Sequence, residues 1–111
     1  MVQLTFDNGI AIASFKNVTR FNHVISQEVK DQLNTVMKKQ GAKLIFNMQG
    51  LDFIDSSAIG TIISVLKSAK EFQGAFCLCN LSPEVYDLLE VMQLQTVFEI
   101  YPTLEEALSK V

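Results

Sequence analysis

The chain has 111 residues, 49% of them hydrophobic and 19% charged, with a formal net charge of −3 at neutral pH. That balance excludes a disordered chain, and the length is that of one domain, 1–111, able to bury a single core. Acids and bases are interspersed, so nucleic acid is not an expected partner. The opening MVQLTFDNGI has no leader pattern and no run approaches the roughly 20 apolar residues that cross a bilayer, so a cytoplasmic protein without a membrane part is expected.

In chain order, Val2, Leu4 and Phe6 alternate with polar residues. Asp7-Asn8-Gly9 is a turn signal, and Ile10, Ile12 and Ser14 repeat the period, which predicts an opening β-hairpin. The polar stretch KNVTRFNH leads to a helical stripe, Ile25, Val29, Leu33, Val36 and Met37, with Asn22 or Ser26 as cap and Gly41 as stop. His23 has no cluster of ligating or catalytic side chains near it in sequence and reads as a loop or helix-start residue. KLIFNM is an apolar run of the kind that forms a strand covered on both faces.

A second helix is predicted from Ser57 to Phe72, with its apolar stripe at Ile59, Ile62, Ile63, Leu66 and Ala69. Thr61, Ser64 and Ser68 fall outside that stripe. AFCLCN is the next strand, in which Cys77 and Cys79 share a face as buried free thiols, since a lone C-x-C lacks the second ligand pair of a zinc site. Ser82 and Pro83 open a third helix through LSPEVYDLLEVMQL, VFEIY is a short strand, and Thr103 to Glu106 is a capping box for a last helix. The order β-β-α-β-α-β-α-β-α predicts an α/β fold with a mixed, mostly parallel sheet opened by a hairpin, and about four helices.

The stretch FIDSSAIG, residues 53–60, stands where the most apolar strand gives way to the second helix, the end of such sheets at which functional groups collect. One hydroxyl or carboxylate suffices to cap a helix, yet Asp55, Ser56 and Ser57 stand together. A serine nucleophile would need a base and the G-x-S-x-G elbow; neither glycine is in register and His23 is the only imidazole. Asp52 or Asp55 as a phosphate-accepting aspartate would need further acids to hold magnesium, and the first two strands lead into none. Catalysis is therefore not expected, nor a metal or other cofactor. A phosphate carried on a first-turn hydroxyl is compatible with the residues, because the N–H groups and the dipole there tolerate negative charge.

With these residues in view, the chain resembles the STAS domain of bacterial anti-sigma factor antagonists over essentially its whole length. The resemblance is carried by DSSAIG at 55–60, by LIFNMQGLDFI before it, by the segment TIISVLKSAKEFQGAFCLCNLSPEVYDLLEVMQL after it, and by FEIYPTLEEAL at the end. It implies that Ser56 is phosphorylated by a partner anti-sigma factor that is itself a serine kinase. It further implies that the unphosphorylated form binds that kinase and frees the sigma factor, and that a metal-dependent serine phosphatase resets the switch. Asp55 is then expected to shape the turn and Ser57 to cap the helix, while Thr61, Ser64 and Ser68 form an exposed flank that docks the partner with part of the RFNH loop. A non-phosphorylated STAS scaffold or adaptor is the alternative. The family often has glycine where Ala58 stands, and a Gly-x-Leu-Asp run where this chain has KNVTRFN.

Overall fold

The computed structural model describes residues 2–111; the first residue of the expected 1–111 domain lies outside them. The hairpin forms as the alternation requires: β1 (Val2–Asp7) and β2 (Ile10–Phe15) pair antiparallel, joined by Asn8 and Gly9 with φ of 52° and 82°. Positive φ at both central positions is the turn whose twist matches a two-residue hairpin, and Asn-Gly is the pair that tolerates it best. From β2 the chain crosses over through α1 (His23–Met37) to β4 (Lys43–Asn47), through α2 (Ser56–Glu71) to β6 (Ala75–Cys79), and through α3 (Pro83–Val91) to β7 (Glu99–Tyr101). α4 (Leu104–Lys110) closes the chain, and the sheet order is β1-β2-β4-β6-β7 with every pair after the hairpin parallel.

This is the mixed α/β architecture with four helices that the sequence predicts, with one addition. Two short strands, β3 (Arg20–Phe21) and β5 (Phe53–Ile54), form a separate two-stranded parallel sheet. Two residues are too few to show a strand period, and β3 lies within what reads as a polar loop.

The alternation along β4 and β6 divides the core. Leu44, Phe46, Phe76 and Leu78 pack with Val29, Leu33 and Met37 of α1 and Ala58, Ile62, Val65 and Ala69 of α2. On the other face Ile45, Cys77 and Cys79 meet Ala107 of α4. The rings of Phe15, Phe21 and Phe46 pack in tilted contact with centroids 5.4 to 6.1 Å apart, which ties the small sheet to the large one.

The helix starts follow their caps. Asn22 accepts from the Val24 amide at 3.1 Å, Ser82 from Val85 at 3.2 Å and Thr103 from Glu106 at 3.1 Å. Ser26, the other candidate cap of α1, is instead a buried residue of its second turn. α3 ends at Val91, earlier than its apolar pattern suggests, because Gln93 turns the chain with φ of 58°.

Candidate functional site

β3 and β5 hold together the two loops that precede α1 and α2. Arg20 pairs with Phe53 and Phe21 with Ile54, and the ladder is extended by Asp52 N–H to Thr19 O at 2.9 Å and Asp55 N–H to Phe21 O at 3.2 Å. Phe21 and Ile54 point into the core, while the Arg20 guanidinium lies 4.0 Å above the Phe53 ring on the outer side. The starts of the two helices are thereby brought side by side.

Asp55 joins those starts. In extended conformation at the N-cap of α2, its Oδ1 accepts from the Ala58 amide at 3.0 Å and from the Ser57 hydroxyl at 2.6 Å. Its Oδ2 accepts from the amide of His23, the first residue of α1, at 2.9 Å, with the His23 ring Nδ1 3.7 Å away. One carboxylate therefore satisfies unpaired donors of both helices. The Ser57 hydroxyl, then the Ala58 amide, with smaller help from the His23 and Ser57 amides, hold the carboxyl at about 2 against the opposing effect of burial.

The expected capping role of Ser57 is corrected by this geometry. α2 begins at Ser56, one residue earlier than its apolar stripe suggests, so the cap position falls on Asp55, and the Ser57 hydroxyl is a donor to the cap. Ser56 occupies the first helical position and is exposed.

The expected docking flank is corrected as well. Thr61 is 3% exposed and donates to Ser26 O at 3.2 Å; Ser64 accepts from the Asn34 amide at 3.1 Å; Ser68, 9% exposed, donates to Asn34 Oδ1 at 2.7 Å. The spacing that takes these three off the apolar stripe turns them toward α1, which lies beside α2 on the same face of the sheet. They fasten helix to helix.

The open surface around Ser56 comes from residues the apolar patterns do not mark. Val24 in the first turn of α1 is 75% exposed, Phe53 is 37% exposed, and Arg20, His23 and Gly60 are also exposed. Gly60 lies one turn beyond Ser56, and a Cβ built on it would meet nothing within 4 Å. A glycine inside a helical pattern is the signal the sequence offers there. Among the described residues no group of three or more His, Cys, Asp or Glu could hold a metal, and no helix is long and apolar enough to cross a membrane.

A mixed sheet opened by a hairpin, with a capped Asp-Ser-Ser junction after its central strand, defines a STAS domain. The STAS domain model matches residues 3–107, and the chain belongs to that family. An anti-sigma F factor antagonist of Paenibacillus polymyxa is 24% identical over 110 residues, covering 98% of this chain and 92% of that one. The solved anti-sigma-factor antagonist (STAS) domain protein from Planctomyces limnophilus is 27% identical, with a TM-score of 0.90 over 97% of this chain and 95% of that one. The Bacillus cell fate determinant SpoIIAA in its phosphorylated form shares the fold at 20% identity, with a TM-score of 0.70 over 99% of this chain and 98% of that one.

Proposed function

We propose that this chain is an anti-sigma factor antagonist that binds a serine-kinase anti-sigma factor while Ser56 carries its hydroxyl, and lets go once Ser56 is phosphorylated. The observation that carries the reading is the different fate of two adjacent serines. Ser57 spends its proton on Asp55 at 2.6 Å, whereas Ser56 stands exposed at the first position of a 16-residue helix. In the transfer, Ser56 Oγ attacks the γ-phosphorus of ATP, the bond to the β–γ bridging oxygen breaks and ADP leaves. The serine proton goes to a base on the kinase, because Asp55, held at about 2, is too weak a base to take it. This chain is the substrate in that step and the kinase is the catalyst. A metal-dependent serine phosphatase returns the free hydroxyl, and release of the sigma factor follows from occupation of the kinase.

The docking surface in this reading is the exposed ring of Val24, Phe53 and Gly60 around Ser56, with the Arg20 and His23 side chains at its edge. A phosphate on Ser56 adds about −1.5 to −2 charges at neutral pH, which the positive end of α2 tolerates while the turn is open to water. Covering it with a surface that offers no cation leaves it desolvated and unpaired, and a penalty of ~3 kcal/mol weakens binding by roughly a hundredfold.

Incubation with candidate anti-sigma kinases and ATP, followed by peptide mapping, is expected to find the phosphate on Ser56. Ser56→Ala is expected to bind the kinase constitutively, and Ser56→Asp to bind poorly with an unchanged melt. Phosphate found only on Ser57 or Thr61, or equal binding by the two variants, would overturn the switch and leave a scaffold.

A further inference from the structure

We infer that the cleft between α3 and β7 docks an extended, proline-containing segment of a partner protein that carries basic residues beside its prolines. The cleft has a volume of about 440 Å³. Pro83, Tyr86 and Asp87 line it from α3, Tyr101 and Pro102 from the end of β7, and Ile100, half-buried against the core, lies between those walls. Pro83, Tyr86 and Asp87 are spaced i, i+3 and i+4 and so share one face of α3, which Glu90 continues one turn further. That wall is held before anything docks, because Ser82 accepts from the Val85 amide at 3.2 Å and Pro83 at the start of the helix has a fixed φ.

The side chains select the backbone of the occupant. Tyr86 is 38% exposed, and its ring adds an apolar face and a hydroxyl to a cleft otherwise walled by proline and a second tyrosine. A helix spends its carbonyls on itself, and β7, three residues long, is too short an edge to hold an added strand by its ladder. A polyproline segment makes no internal hydrogen bonds, so its rings pack on aromatic faces while its carbonyls accept from hydroxyl donors, and it loses little entropy on docking.

Charge selects the residues beside the prolines. From Glu71 to Ser109 the chain has no lysine, arginine or histidine, whereas Glu84, Asp87 and Glu90 all lie on α3. Lys70 and Lys110 line a separate cleft that shares only Tyr101 with this one. An acidic wall beside an aromatic floor therefore favours an arginine or lysine next to the prolines. A second copy of this chain does not supply such a segment, since its two prolines, Pro83 and Pro102, are themselves in the walls.

Tyr86 and Tyr101 are the only tyrosines and there is no tryptophan, so the intrinsic emission of the chain reports this cleft. Titration of the full chain with the peptide RPPPPPPR is expected to change that emission saturably, whereas RAAAAAAR, equal in charge, should bind more weakly by roughly tenfold or more. With a labelled peptide and anisotropy as the readout, Tyr86→Ala and Asp87→Lys should each weaken binding roughly tenfold or more, and Tyr86→Phe should fall between the parent and the alanine form. Asp87→Lys, at an exposed position, decides the matter should Tyr86→Ala not fold. Emission unchanged up to ~1 mM peptide, equal binding of the alanine peptide, or variants that bind as the parent does would each overturn the proposal. Emission that changes with protein concentration alone would place a second copy in the cleft and overturn it as well.

Discussion

At the scale of single residues, Asp55 does more for the site than the serine beside it. Its two oxygens hold the first turns of α1 and α2 in one arrangement, so the surface around Ser56 is set before any partner arrives. Its carboxyl lies at about 2 where 3.8 is ordinary, so the folded chain favours the ionised form. The stabilisation is complete above the ordinary value and disappears as pH falls through about 2. Asp55→Ala is accordingly expected to lower the urea midpoint at neutral pH, and the gap to the parent chain should narrow progressively between pH 3.8 and about 2. A gap that stayed constant over that range would mean that the carboxylate's charge contributes nothing to joining the helices. The presence of an acid at this position was legible in DSS; its reach to the His23 amide, 32 residues away, was not.

At the scale of elements, α2 shows where periodicity informs and where it stops. The apolar stripe predicted the helix and its core face, because burial against a sheet repeats with the helical turn. The same stripe left Thr61, Ser64 and Ser68 to be read as exposed, since a sequence does not reveal that a second helix lies alongside. Asn34, 34 residues from Ser68, supplies the link to Ser64 and Ser68 and belongs to no motif. Asn34→Ala should cost about 1–3 kcal/mol in urea unfolding, because it leaves part-buried hydroxyls without their partner. Gly60, exposed on the outer side of the same helix, should behave in the reverse manner. Nothing lies within 4 Å of an added Cβ, so Gly60→Ala should stabilise the fold by up to about 1 kcal/mol. Gly60→Arg should leave the melt close to that of the alanine variant while weakening capture by the kinase. Equal kinase binding by the alanine and arginine forms would remove Gly60 from the docking surface.

At the scale of the whole molecule, the two faces of the sheet are unequally covered. α1 and α2 lie along one face and build the larger core, whereas the other holds the small cluster of Ile45, Cys77, Cys79 and Ala107 beneath the seven-residue α4. The mixed sheet was legible because each central strand is apolar and bounded by helix signals. β3 and β5 were not, since their pairing depends on the sheet that carries them. Cys77 and Cys79 lie in the thinner layer. Burial pushes their thiols up to about 12 and about 11, with the neighbouring Cys79 and Glu99 adding to the first and Glu105 to the second. At neutral pH neither is a nucleophile while folded, so a thiol reagent reacts only after the layer opens. Lifting α4 exposes both without disturbing the larger core, and so releases less surface than global unfolding does. Pulsed alkylation across a urea series should therefore show thiol exposure with a shallower denaturant dependence than the loss of helix signal, and at lower urea. Equal slopes and midpoints would mean that α4 departs only with the rest of the fold, and that the two layers, unequal in cover, unfold as one cooperative unit.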